Sequence, residues 1–108
     1  MKVLFVETEL FGRKLVQAAT DGEYQVLQRE LADNPEKGDV IPGAGGARKV
    51  RMALGGRGKR GGARVIYYVR VSRDIVWLLD IYTKGEKADL TMDEKKEIAA
   101  FIRSVKGA

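Results

Sequence analysis

The stretch RKVRMALGGRGKRGGARVIYYVRVSRDIVWLLDIY, Arg48–Tyr82, decides the fold. Its opening residues alternate, with Val50, Met52 and Leu54 on one face and Lys49, Arg51 and Ala53 on the other, the period of a half-buried strand. After the glycine-rich GGRGKRGG the alternation resumes. Val65, Tyr67, Val69 and Val71 oppose Arg64, Ile66, Tyr68 and Arg70. A short turn leads to IVWLLDIY, Ile75–Tyr82, an almost unbroken apolar run that predicts a central strand covered on both faces. Three such runs with hairpin-length connections predict an antiparallel meander.

Working outward, KVLFVE (Lys2–Glu7) predicts a first strand. In TELFGRKLVQAA, Thr8 is placed to cap a helix whose Phe11, Leu15 and Ala18 share a face. Thr20 and Glu23 have capping-box spacing, so a second helix starts there and lines up Tyr24, Leu27 and Leu31. Asn34 precedes Pro35, which disfavours helical geometry and ends it. The two helices form a helical hairpin. DVIPGAGGA (Asp39–Ala47) is a glycine-rich loop. At the other end, Thr91 and Glu94 form a second capping box, and Asp93 and Glu94 favour the helix dipole. Ile98, Phe101, Ile102 and Val105 make an apolar stripe. The expected order is β-α-α-β-β-β-α. The expected class is α+β, a small twisted, mainly antiparallel sheet packed against the helical hairpin and the C-terminal helix. With 108 residues, a single domain over residues 1–108 is expected.

The charge is segregated. No Asp or Glu occurs from Val40 through Arg73, whereas nine of the 20 Lys and Arg do. Outside that segment, 11 basic residues are outnumbered by all 15 acidic ones. A surface that only needs solubility mixes its signs. Segregation of this kind is the footprint of a phosphate-backbone binder, or of a basic patch for an acidic protein partner. Arg57, Lys59 and Arg60 sit on the glycine-rich loop, and the glycines serve either turn geometry or close approach of a nucleic-acid backbone. Lys49, Arg51 and Arg64 are expected near one sheet face, either as a solvated face or as an anion-binding one. Tyr68 shares that face, to stack on a base or to lie in a core. Tyr82, Lys84 and Lys87 are expected near the end of the last strand, either converging on the same surface or, for Tyr82, lying in the core.

Several chemistries are excluded. The chain has no cysteine and no histidine, which removes disulfides, thiolate metal sites and the usual near-neutral acid–base. The basic segment holds no carboxylate to bind a metal, so no cofactor is expected. The glycine motifs lack the Lys-Ser/Thr of a phosphate-binding loop, and a strand rather than a helix follows them. No membrane-spanning run or secretory signal is expected, and cysteine usage is compatible with a reducing compartment. What remains is electrostatic catalysis on an anion. RNA carries its own nucleophile, the 2′-hydroxyl. A Lys/Arg cluster can hold the pentavalent phosphate, and like-charge crowding can ready one lysine to carry a proton.

GDVIPGAGGARKVRMALGGRGKRGGARVIYYV, the apolar strand after it, YTKGEKADLT and the terminal amphipathic helix together resemble the RelE/ParE toxin superfamily, most closely its HigB-type members. The resemblance spans residues 23–105 and is most specific from Gly38 to Leu90. It implies the cytoplasmic toxin of a type II toxin–antitoxin module, a metal-free, ribosome-dependent endoribonuclease that cleaves mRNA in the decoding site. The implied partners are the ribosome with its mRNA and a HigA-like helix-turn-helix antitoxin, through which alone operator DNA is reached. The family's catalytic cations fall on Lys49, Arg51 and Arg64, with Lys84 or Lys87 after the last strand. Arg48, Arg57, Lys59, Arg60, Tyr68 and Tyr82 are then RNA- or ribosome-binding. The tyrosine that RelE carries near its C-terminus has no counterpart, so the proton carrier is expected among Lys84, Lys87 and Tyr82. Two rival expectations are a ParE-like gyrase inhibitor without nuclease activity and a non-catalytic RNA- or DNA-binding module.

Overall fold

The computed structural model describes residues 2–55, 61–70 and 72–106. Eight elements follow in order: β1 (Leu4–Glu7), α1 (Glu9–Ala18), α2 (Asp21–Asp33), β2 (Asp39–Val40), β3 (Arg48–Met52), β4 (Ala63–Val69), β5 (Ile75–Thr83) and α3 (Met92–Val105). They build one five-stranded sheet in the order β1-β5-β4-β3-β2, with β1 parallel to β5 and the other pairs antiparallel. The expected meander is β3-β4-β5. Two departures extend it. The start of the glycine-rich loop forms the two-residue β2 on the edge of β3. The first strand adds beside β5, which is thereby the expected interior strand, flanked by β1 and β4 and covered on both faces.

The capping predictions hold. Thr8 Oγ1 accepts from Phe11 N–H, and Thr20/Glu23 and Thr91/Glu94 form reciprocal capping boxes. The helices cover opposite faces of the sheet. Phe11, Tyr24, Leu27 and Leu31 of the α1–α2 hairpin pack on Val50, Met52, Val65, Tyr67, Val76, Leu78 and Ile81. On the other face Ile98, Phe101, Ile102 and Val105 of α3 pack with Ile66, Tyr68, Leu79, Tyr82 and Leu90. Fully burying side chains such as Phe11, Leu27 and Ile102 stabilises by roughly 1.5–3 kcal/mol each. Both faces of β4 are thus covered, which is why its alternation carries so little polarity.

Two glycines are required by close approach. A Cβ on Gly62 would lie 1.9 Å from Met52 O, so β3 and β4 can meet there only without one. Gly45, at φ +70°, lets the loop before β3 run against α3, where a Cβ would lie 2.9 Å from Ala99 Cα. That contact ties α3 to the sheet edge.

One irregularity positions the site. The β4–β5 register passes from Ile66↔Asp80 to Tyr67↔Leu78, leaving Leu79 as an extra residue in a β-bulge. Before the bulge, Val76 and Leu78 face the helical hairpin. After it, Tyr82 faces α3.

Candidate nucleic-acid interface

Register builds the candidate site. Arg51 pairs with Arg64 across β3–β4, and Arg64 pairs with Tyr82 across β4–β5. These three form a row across three strands on the α3 side of the sheet, with Lys49 one pleat away opposite Ile66. Lys49, Arg51 and Arg64 line a hollow of about 350 Å³ together with Lys37, Gly38, Asp39 and Val50. Arg51 is exposed, whereas Arg64 is only 9% exposed. The expected convergence of the strand cations is therefore present, and Lys37 joins them from the α2–β2 connection. Its position just before Gly38, beside the glycine-rich loop, was the available sequence signal.

The cations beyond β5 divide. Lys87 forms an ion pair with Glu94 and stands over the Tyr82 ring, its Nζ 5.3 Å from the ring centroid. Lys84 is exposed in the turn after β5, and neither it nor Lys87 lines the hollow. Lys87 is thus held by a carboxylate.

Other candidates lie elsewhere. Arg48 shares a face with Val50 and Met52, on the helical-hairpin side. Its guanidinium donates to Gly38 O at 2.8 Å and pairs with Glu36 at 3.5 Å. Arg48 therefore clasps the α2–β2 connection and does not join the hollow. Tyr68 is 7% exposed and sits in the core beneath α3, close to Gly46, which leaves no open face for a base. Arg57, Lys59 and Arg60 lie outside the described residues.

Tertiary structure also returns acid to this face. Lys49 Nζ lies 3.5 Å from Asp89 Oδ1, a contact between residues 40 apart in the chain. The backbone N–H of Leu90, and then Lys49, hold the Asp89 carboxyl below its usual value. Lys87, followed by the Thr91 N–H, does the same for Glu94. Asp89 was not identifiable as a partner of Lys49 because nothing local in the sequence joins them. The Tyr82 hydroxyl is buried and has no hydrogen-bond partner among the described residues. Burial, with Asp89 as the next cause, pushes its pKa up to about 12, against an opposing effect of Arg64. Chemically, the arrangement offers several cations to a phosphate and a neutral phenol beside them. Among the described residues no group of three or more His, Cys, Asp or Glu is placed to hold a metal, and no helix is long and apolar enough to cross a membrane.

No protein-family model matches the chain. Two solved structures share its architecture. One is the intact RelBE toxin–antitoxin complex of E. coli, matched over 82% of this chain and 99% of that chain at 16% identity with a TM-score of 0.55. The other is a double arginine-to-alanine mutant of the E. coli toxin RelE in its free state, matched over 94% of this chain and 97% of that chain at 16% identity with a TM-score of 0.59. An α+β sheet in this order, covered by a helical hairpin and a terminal helix and matched along nearly its whole length, gives this chain a RelE-like fold.

Proposed function

We propose that this chain is the toxin of a type II toxin–antitoxin module and acts as a ribosome-dependent mRNA endoribonuclease. The observation that carries the reading is the hollow lined by Lys37, Lys49, Arg51 and Arg64. Three strand cations converge there on a sheet face beside Lys37, which pairs with Glu30 at 3.3 Å, in a position to neutralise a phosphate that gains charge as it becomes pentavalent. The RNA 2′-hydroxyl attacks the adjacent phosphorus, the P–O5′ bond breaks, and the chain ends in a 2′,3′-cyclic phosphate and a 5′-hydroxyl. Lys49, Arg51 and Arg64 hold the phosphate. The proton is moved by one of Lys84, Lys87 and Tyr82. Lys87 first has to leave Glu94.

The fold supports an antitoxin partner, since one matched structure is a toxin–antitoxin complex. A HigA-like helix-turn-helix protein that covers the basic face and carries the pair to operator DNA fits the charge distribution. The ribosome supplies the mRNA in the decoding site.

The test is induced expression followed by mapping of mRNA 5′ ends, wild type against Arg51→Ala and Arg64→Ala. New ends that appear with the wild type and disappear with both variants support the reading. Intact messages with inhibited supercoiling would point to gyrase instead. Intact messages with RNA retained on the protein would point to a binding module.

A further inference from the structure

We propose that Asp89 and Glu94 are specificity-determining residues of the same site: built-in competitors that occupy Lys49 and Lys87 until RNA phosphates displace them. This rests on the nuclease reading above. The sequence keeps every carboxylate out of Val40–Arg73, yet the fold adds Asp89 and Glu94 to the cationic face, where Asp39 already lines the hollow opposite Lys49. Lys49 pairs with Asp89 at 3.5 Å, and Lys87 pairs with Glu94. Both carboxylates come from one short piece of chain, the end of the β5–α3 connection and the first turn of α3. That piece is fixed by buried Leu90 and by the Thr91/Glu94 capping box.

The carboxylates are good stand-ins for phosphate, with oxygen acceptors of similar reach and a single negative charge. They are also weak ones. Exposed Lys–carboxylate pairs contribute only about 0–1 kcal/mol. A phosphodiester strand that meets Lys37, Arg51 and Arg64 as well as Lys49 gains several charge-assisted contacts at once and can displace them. An isolated anion that meets one lysine cannot. The pairs therefore set a threshold that favours an extended polyanion seated in the hollow.

Tyr82 gives the second observation. It is 1% exposed, Lys87 stands over its ring, and its hydroxyl has no partner among the described residues. Exchange of Glu94 for phosphate on Lys87 removes the contact that holds Lys87 over the phenol.

The test uses a short fluorescent 2′-O-methyl oligoribonucleotide, which binds without supplying a nucleophile, and reads anisotropy at low salt. Asp89→Asn and Glu94→Gln preserve the backbone hydrogen bonds that each side chain accepts, so the fold is retained. Each is expected to bind about twofold to fivefold more tightly than wild type. In a Lys49→Ala background the gain from Asp89→Asn should vanish, because the competed cation is gone. Unchanged or weaker binding by both single variants, with Lys49→Ala still weakening the wild type, overturns the competitor proposal and leaves the nuclease reading standing. No binding by any of these proteins overturns the competitor proposal and leaves the nuclease reading, in which the ribosome supplies the mRNA, to the mapping of mRNA ends.

Discussion

Arg51 and Arg64 stand directly opposite one another in the β3–β4 register, on the same face and lining the same hollow. Like charges directly opposed across strands destabilise a sheet. A fold selected for stability alone has no use for the pair; the proposed phosphate site does. Replacing Arg51 with Thr, a good strand former, is expected to stabilise the protein by about 0.5 kcal/mol. The same change should relieve growth arrest on induction. Thermal denaturation and growth curves of the variant check both halves, and a loss of stability of about 1 kcal/mol or more would show that Arg51 is structural.

Tyr82 offers a second separation of stability from activity. Its buried hydroxyl has no partner among the described residues, so Tyr82→Phe removes an uncompensated polar group. The expected result is unchanged or higher stability, by about 1 kcal/mol at most. On the proposed nuclease reading, cleavage kinetics on programmed ribosomes then identify the proton carrier. Among Tyr82→Phe, Lys84→Ala and Lys87→Ala, loss of that group lowers the rate about 100-fold or more.

Gly62→Ala should cost about 3 kcal/mol, because the new methyl group meets the Met52 carbonyl at 1.9 Å and both are backbone-anchored. Gly43→Ala is the control. It has open space around it and only an unfavourable φ of +79°, so it should cost about 1–2 kcal/mol. Urea denaturation of both variants checks the order.

Alkaline stability follows from the tyrosines. Burial is the largest cause that raises the pKa of Tyr24, Tyr67 and Tyr82 above the ordinary 10.0, to about 12 for Tyr82. The folded state then holds phenolic protons that the unfolded chain has lost, so stability falls as pH rises between 10.0 and about 12. Below 10.0 this contribution is fully present. A titration of phenolate absorbance should show these groups ionising together with unfolding. Ionisation of all of them near pH 10.0 in the folded protein would contradict their burial.

Much of this was legible in the sequence because it is local or periodic. The three capping threonines, the apolar stripes of the helices and the alternation of β3 follow from spacing alone. Lys49 and Arg51 had to share a face because strand side chains repeat every two residues. By the same rule Arg48 falls with Val50, and the structure pairs it with Glu36 on the far side of the sheet. Tyr68 could not be assigned between base-stacking and core from its own strand, since that depends on whether α3 covers it.

The sequence by itself determined the helices, the meander and the acid-free basic segment, since propensity, capping and period act within a few residues. Tertiary structure alone decided who meets whom across the sheet. Simple alternation from Val76 and Leu78 would turn Tyr82 toward the helical hairpin. The bulge at Leu79 adds one residue, reverses that parity and turns Tyr82 to the cations instead. The approach of Asp89 to Lys49 likewise requires α3 to dock. Such contacts depend on register and packing between distant segments, and neither leaves a periodic trace in the chain.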